Sequence, residues 1–426
     1  MMEERWKLQN ACIYEGLSYQ DLAEKLGVDV GTVSRWMDGT TRPSAEFAGK
    51  MCKRFHAKHP SDLDLHAEFP HTPTHRREDK LLTMLDPLDR RQLMSLLSKL
   101  STFAGIDLVT LNAALSGSLV APDDLLYVGR TVVDHCWNLL DQGSFFEIDN
   151  LLLPLVSKLH PIASRASQHK EQAASLALEA TIIQMLMASH TMNYKRRVTL
   201  GEAAIQYGEL SGNDNLYILA LGGHGITYTD CYQQPGQAIA ILQKATPLFD
   251  STSPLNQTDI STGLAIACAL DKDETNARNY IEQARVAMPE NPQLDPLYRI
   301  IELEHSELAQ REGQIYLILA KKFRSQKAEY GKLAYDALVS AMNQLPPSMR
   351  YQGKVLINKA DAARLIGNID DHFNSLQEGA NIAFQVGSEK QKTKALYVLN
   401  NTPRSWRTDA RYIELRKLLT PPQVIQ

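Results

Sequence analysis

The sequence is poor in the features that mark several large classes of protein. Its 426 residues include five cysteines, and 7% of the residues are aromatic. The cysteines are odd in number and widely scattered, which argues against a disulfide framework and favours a reducing compartment. The net charge is −4, so the whole chain is not a polycation that coats nucleic acid. A chain of this length is expected to contain more than one domain.

An apolar run long enough to cross a bilayer is also lacking. The most apolar stretch, residues 93–121, is interrupted by Lys99 and Asp107, whereas a transmembrane helix needs about 20 predominantly apolar residues in a row. Glu3, Glu4 and Arg5 near the N-terminus have no apolar segment behind them, so we expect no signal peptide. These observations favour a cytoplasmic protein that does not contact a membrane.

Signatures of catalysis are missing as well. The sequence has no G-x-S-x-G elbow, no P-loop and no H-E-x-x-H motif. The GGHG run at residues 222–225 lacks the glycine spacing of a dinucleotide-binding fingerprint and has no predicted strand before it. We therefore expect neither an enzyme nor a bound cofactor.

A histidine-rich linker, residues 56–77, raises the question of a metal site. It contains His56, His59, His66, His71 and His75 together with three prolines. Imidazole suits zinc, nickel and copper, but no cysteine lies at ligand spacing within the segment. We favour a solvated or pH-responsive linker and predict no metal site.

What the sequence does contain is a two-helix pattern near the N-terminus. Residues 18–44 read SYQDLAEKLGVDVGTVSRWMDGTTRPS. Leu22, Ala23 and Leu26 give one apolar stripe at helical spacing, and Gly27 suits a left-handed turn after that helix. Asp29 is placed to cap a second helix over residues 30–37. Two short helices joined in this way form a helix-turn-helix, whose second helix enters the DNA major groove.

The motifs LAEKLGV, TVSRW and RPS within this stretch resemble the Cro/cI-type, or XRE-family, helix-turn-helix. The resemblance covers about residues 6–65 and implies that the start of the second helix reaches base edges, while the following loop contacts the DNA backbone. The matching positions are Tyr19 for a phosphate, Asp29, Val30, Gly31, Thr32 and Arg35 for bases, and Thr41 and Arg42 for the loop. Ser34 is a further candidate for DNA binding.

Several residues weaken direct base readout. Val30 and Gly31 have no side-chain hydrogen-bonding group, whereas bidentate base contacts come from Arg, Lys, Asn or Gln. Asp38 would repel a nearby phosphate, and residues 1–65 carry nine basic against ten acidic side chains. Four basic residues fall close together in the sequence, namely Lys50, Lys53, Arg54 and Lys58. They form either a local basic ridge or merely a solvated helix face. The alternative is therefore a protein-interaction scaffold whose helix-turn-helix does not bind DNA.

From residue 76 onward the chain reads as one helix after another with no strand signal. One pattern of residue types recurs along this region: a small residue, an apolar residue, a turn residue and then a small–large–small set. It is found in segments that begin at Cys136, Ala265 and Ala360. Two further segments, near residues 222–245 and 320–341, fit the pattern with short insertions. This pattern resembles the tetratricopeptide repeat in degenerate copies over residues 123–419. We predict an all-α chain with an N-terminal helix-turn-helix and a C-terminal α-solenoid of degenerate tetratricopeptide-like repeats.

We predict a helix-turn-helix domain at residues 1–66, a linker with bridging helices at 67–121 and a repeat domain at 122–426. This layout is similar to that of RRNPP-type peptide-sensing regulators of bacterial quorum sensing. The similarity implies a homodimeric transcription regulator that binds double-stranded DNA and takes a short peptide or a protein partner in the repeat groove. By register, the candidate groove residues are Arg130, Trp137, Asp259, Thr262, Lys354, Asp361 and Arg364.

Overall fold

The computed structural model describes residues 8, 11, 12, 17, 19–37, 41–55, 57, 60–63, 65, 121–141, 145–344 and 349–420. Within these ranges all regular structure is helical, which confirms the all-α prediction. The five histidines of the predicted linker lie outside the described residues, as do the bridging segment up to residue 120, Asp38 and Lys58. The domain boundaries themselves stay a prediction.

The head consists of α1 (Tyr19–Leu26), α2 (Val30–Met37), α3 (Ala45–Arg54) and a 3-10 turn at Pro60–Leu63. Leu22, Val33 and Trp36 are buried, as their helical spacing predicts. Gly27 joins α1 to α2 with a φ of +71°, a left-handed conformation that glycine adopts without steric cost. The head therefore has a small apolar core of its own, which fixes the angle between α1 and α2.

The body is an array of helices. Consecutive helices pack on each other, as in an α-solenoid. Its helices are α4 (Pro122–Asp141), α5 (Phe145–Ala163), α6 (Lys170–His190), α7 (Tyr194–Leu210), α8 (Asp214–Asp230), α9 (Pro235–Leu242), α10 (Pro254–Leu270), α11 (Glu274–Ala287), α12 (Tyr298–Ile301), α13 (His305–Lys322), α14 (Lys327–Asn343), α15 (Met349–Ile366), α16 (Ile369–Gln385), α17 (Glu389–Asn400) and α18 (Ala410–Leu419). Further 3-10 turns cover Gln243–Ser251, Pro292–Leu294, Arg324–Gln326 and Arg404–Trp406.

Small residues on one helix of a pair accommodate a large residue from the next. A Cβ atom on Gly225 of α8 would lie 2.6 Å from side-chain atoms of Leu242, and one on Gly313 of α13 would lie 2.5 Å from Leu338 Cγ. Both leucines are fully buried. Close packing of this kind lets the helices of each pair cross at short range and sets the curvature of the solenoid.

The solenoid curves until distant parts of the body touch. The loop after α6 meets the start of α17, where His190 Nδ1 lies 2.8 Å from Ser388 Oγ. Lys390 Nζ donates to Asp230 Oδ2 at 3.0 Å, and Thr393 Oγ1 lies 3.6 Å from Met192 Sδ. These contacts close the concave side of the solenoid into a chamber.

No helix among the described residues combines the length and the apolar character that a membrane crossing requires. No group of three or more His, Cys, Asp or Glu side chains in the same part of the chain is arranged to hold a metal ion.

Candidate nucleic-acid interface and ligand chamber

The first turn of α2 contains a chain of polar contacts. Asp29 Oδ1 accepts from the backbone N–H of Thr32 at 2.8 Å, and its other oxygen accepts from the Thr32 hydroxyl at 2.5 Å. Arg35 Nη2 in turn donates to Thr32 Oγ1 at 2.8 Å. The hydrogen bonds from Thr32, assisted by the Arg35 charge, lower the pKa of Asp29. The cap predicted for Asp29 is present, and it ties the Arg35 guanidinium to the start of α2.

Most residues predicted to contact DNA are accessible. Asp29, Val30, Gly31, Arg35, Thr41 and Arg42 are exposed, and Thr32 and Ser34 are half-buried. Tyr19 differs, because its side chain is 7% exposed and belongs to the apolar core of the head. The prediction that Tyr19 presents its phenol to a phosphate is therefore wrong for this conformation.

The head contacts the body through a buried carboxylate on α1. Asp21 Oδ2 lies 2.8 Å from Lys322 Nζ at the end of α13, and Asp21 Oδ1 lies 2.6 Å from Lys272 Nζ. The Lys322 side chain is 4% exposed, and burial lowers its pKa although Asp21 opposes that effect. Lys272 is half exposed, and its hydrogen bond to Asp21 raises its pKa. Asp21 thus anchors the head between two lysines of the body.

A cleft of about 390 Å³ lies beside this contact. On the head side it is lined by Tyr19, Gln20, Asp21 and Glu24 of α1 and by Val30 and Ser34 of α2. On the body side it is lined by residues 233–236 and 270–272. One side of the predicted recognition helix therefore faces the body, since Val30 and Ser34 are four residues apart and lie on the same helix face.

The chamber on the concave side has a volume of about 320 Å³. Four of the predicted groove residues line it, namely Trp137, Asp259, Lys354 and Asp361. The other three do not. Arg130 forms a bidentate pair with Glu179 at 2.7 and 2.6 Å, Thr262 is fully buried against Arg311, and Arg364 holds Asp361 at 2.5 Å. The lining of this chamber does not include these three residues, so their predicted place in the groove is not met here.

Ion pairs organise the chamber wall. Arg311 Nη1 lies 2.5 Å from Asp259 Oδ1, and Arg311 Nη2 lies 3.2 Å from Glu307 Oε1. Burial would raise the pKa of Asp361, but Lys321 and Arg364 hold it well below its usual value. The Asp361 carboxylate therefore stays charged at neutral pH, and it depends on these two basic neighbours.

The chamber and the head cleft share part of one wall. Gln233 and Leu270 line both spaces. Lys321 lines the chamber, whereas Lys322, the next residue of α13, pairs with Asp21 of the head. Gln233 and Lys272 have φ values of +50° and +67°, which costs a residue other than glycine about 1 kcal/mol or more. The shared wall thus includes one residue, Gln233, that its surroundings hold in an unfavourable backbone conformation, and sequence patterns do not indicate it.

Comparison with known proteins supports the assignment of the head. A helix-turn-helix family model matches residues 15–63. No curated protein and no solved structure matches the chain. The match agrees with the XRE-type resemblance and with the observed α1–turn–α2 geometry. The chain therefore carries an N-terminal helix-turn-helix, which supports a DNA-binding regulator in general.

Proposed function

We propose that the protein is a bacterial transcription regulator whose repeat domain senses a peptide or protein partner and thereby controls the DNA-binding head. It acts without catalysis, as a cytoplasmic homodimer on double-stranded DNA. The observation that carries this proposal is the wall shared by the two spaces. Lys321 faces the chamber, while its neighbour Lys322 holds Asp21 of the head.

The docked head is the restrained form in this proposal. Val30 and Ser34 face a cleft of about 390 Å³, which is the size of a small-molecule pocket and far too small for a duplex. The major groove is about 12 Å wide and has to receive α2 along its length. For the face of α2 that carries Val30 and Ser34 to meet base edges, the head must move away from the body.

A ligand in the chamber acts on this docking by preferring one arrangement of the shared wall. A ligand shifts a conformational equilibrium only through a difference in its affinity for the two states. Gln233 and Leu270 touch both spaces, so a ligand that displaces them alters the surface on which the head rests. In a dimer, the two released heads bind two half-sites of the DNA. The centres of these half-sites lie one helical turn of the duplex, or a multiple of one turn, apart.

The DNA-binding part is tested by capturing fragments of bacterial genomic DNA with the full-length protein. Arg35→Ala combined with Arg42→Ala removes two exposed cations of α2 and its following loop. We expect the wild type to enrich defined fragments and the double variant to bind them less tightly. Because a lost phosphate contact lowers the dependence on log salt by about 1, loss of the Arg42 contact with the DNA backbone should lower the slope by about 1.

A matched control is Lys327→Ala combined with Lys332→Ala, which removes two exposed lysines of α14 in the body. That variant should keep the wild-type affinity and salt slope. If the Arg35 and Arg42 double variant also keeps both, the assigned DNA contacts are wrong. A protein that enriches no DNA at all would support the scaffold alternative.

A further inference from the structure

The charges that line the chamber do not balance. Seven lining side chains are Lys or Arg and five are Asp or Glu. Each of the five carboxylates has a basic partner in the wall, through the pairs Asp230–Lys390, Asp259–Arg311, Glu307–Arg311, Asp361–Lys321 and Glu302–Arg350. A fifth basic side chain, Arg197, lies 4.0 Å from Asp230, which leaves Lys354 and Lys394. Among the described residues, neither has a carboxylate within 4.0 Å of its ammonium.

The two remaining lysines stand beside further hydrogen-bond donors. Lys354 Nζ lies 5.6 Å from the centre of the Tyr351 ring, and Lys394 Nζ donates to Asn358 Oδ1. Asn358 is fully buried, and its Nδ2 has no hydrogen-bond partner in the described part of the chain; the same is true of the Tyr351 hydroxyl. Tyr351, Lys354 and Asn358 follow each other at helical spacing on α15, and all three line the chamber with Lys394 of α17.

An unmatched pair of ammonium groups in such a place is costly. Burial lowers the pKa of Lys354 to about 8, and burial together with Lys321 and Lys354 lowers the pKa of Lys394 to about 7. Buried charges in proteins are normally paired, and buried donors normally find acceptors. A bound anion would supply both the missing charge and the missing acceptors.

We propose that the chamber is a binding site for the carboxylate or phosphate group of a small ligand, held by Lys354, Lys394, Asn358 Nδ2 and the Tyr351 hydroxyl. This inference deepens the proposed function by naming the chemical class of the sensed ligand. The binding step itself does not require DNA. The two sources of the anion, a phosphorylated compound and a carboxylate such as a peptide C-terminus, are separated by the test.

The test is thermal unfolding of the full-length protein at pH 7 and constant ionic strength. The probes are sodium pyrophosphate, sodium citrate, and a tetrapeptide pool with either free or amidated C-termini, with sodium chloride as the reference. We expect at least one anionic probe to raise Tm in a saturable way, by about 3 to 4 °C at a hundredfold excess over Kd. A response to pyrophosphate alone indicates a phosphate ligand; a response to citrate or the free-acid peptides, but not the amidated pool, indicates a carboxylate.

The matched variants are Lys354→Met with Lys394→Met, and Lys327→Met with Lys332→Met on the exposed face of α14. The chamber variant should lose the anion response and unfold at a higher Tm than the wild type without anion. The α14 variant should respond like the wild type. If no probe shifts Tm beyond chloride, or if the chamber variant keeps the full shift, the proposal is overturned.

A second measurement needs no substitution. NMR titration of the wild type labelled with 13C at the lysine ε-carbons follows the two lysines whose pKa values lie near 8 and 7. A bound anion favours the charged ammonium, so both pKa values should rise by about 1 or more. Unchanged values at saturating anion would contradict the site. An anion that binds but leaves DNA affinity unaltered would keep the site and remove only its role in sensing.

Discussion

The Asp21 carboxylate of the head lies 2.8 Å from the Lys322 ammonium of the body, directly next in sequence to Lys321 on the chamber wall. The two lysines end the same helix, Lys321 on the chamber wall and Lys322 at the head, and the proposed regulation connects these two places. A coupling between two sites is a free energy and acts in both directions. Release of the head should therefore also change the affinity of the chamber for its ligand.

Asp21→Asn should release the head. The substitution keeps the shape of the side chain and removes the charge that faces Lys322 and Lys272. Coupling free energies of ordinary size predict a rise in DNA affinity of about 5- to 150-fold. Fluorescence anisotropy with a captured DNA fragment measures it.

The control for Asp21→Asn is Glu46→Gln, which removes the same charge from the head. Glu46 is exposed and pairs with Lys50 inside α3. Equal affinity of the two variants would show that the contact with Lys322 does not restrain the head.

Gly313→Ala should destabilise the solenoid. The three nearest atoms to the added Cβ all belong to Leu338, at 2.5 to 3.1 Å, and Leu338 is fully buried. Overpacking of this kind costs about 1–3 kcal/mol. Urea unfolding followed by far-UV circular dichroism measures the loss.

In the control Gly236→Ala, the added Cβ of α9 meets no atom within 4 Å, so a gain of about 0.5–1 kcal/mol is expected. Equal behaviour of the two would argue against tight packing at Gly313.

Stability should fall on mild acidification because of His224. This side chain is 5% exposed, and burial, followed by Arg197 and Lys244, lowers its pKa from 6.5 to about 4. Below pH 6.5 His224 takes up a proton in the unfolded chain but stays neutral in the folded chain. The free energy of unfolding that is present above pH 6.5 is therefore lost as the pH falls towards 4. From pH 7 to pH 5 the loss for this residue is about 2 kcal/mol.

Urea unfolding of the wild type and His224→Gln at pH 7, 6 and 5 checks this expectation. The variant should show a shallower dependence on pH. His305→Gln removes an exposed histidine and should leave the wild-type dependence in place. A wild-type slope in His224→Gln would mean that the acid sensitivity comes from other groups.

Arg311→Met should destabilise the body strongly. Arg311 is 12% exposed at its side chain and pairs with Asp259 and Glu307, whose side chains are 10% and 8% exposed. Removing one partner from a buried ion pair costs about 3–5 kcal/mol, because a charge is left without compensation. Thermal or urea unfolding measures the loss. Lys332→Met removes the exposed pair with Asp336 and an exposed cation–π contact with Tyr335, and it should stay within about 0.5 kcal/mol of the wild type. A small effect of Arg311→Met would show that the network is not structural.

The head was predictable because its signals are local. Leu22, Gly27 and Asp29 are each read from a few neighbouring residues, and the bounds of α2 agree with the prediction. The α6–α7 pair was not among the predicted repeat segments, and the left-handed turn between its helices carries Met192 with a φ of +60°. A backbone conformation imposed by tertiary packing leaves no mark of this kind in the sequence.

The chamber was predicted in part. Repeat register placed Lys354 and Asp361 in its wall, since both lie on the inner face of α15. It missed Lys394 of α17, because the closure that brings α17 to α6 joins residues 198 positions apart. The docking of Asp21 on Lys322 spans 301 positions and follows from the shape of the whole solenoid, which no short pattern contains.

The contact of His190 with Ser388 also has a consequence for synthesis. These residues are 198 positions apart, so at about 5–20 residues per second the ribosome makes the second about 10–40 s after the first. The helix-turn-helix emerges earlier still. A growing chain therefore carries its head before its chamber closes, and any binding in the chamber requires the finished polypeptide.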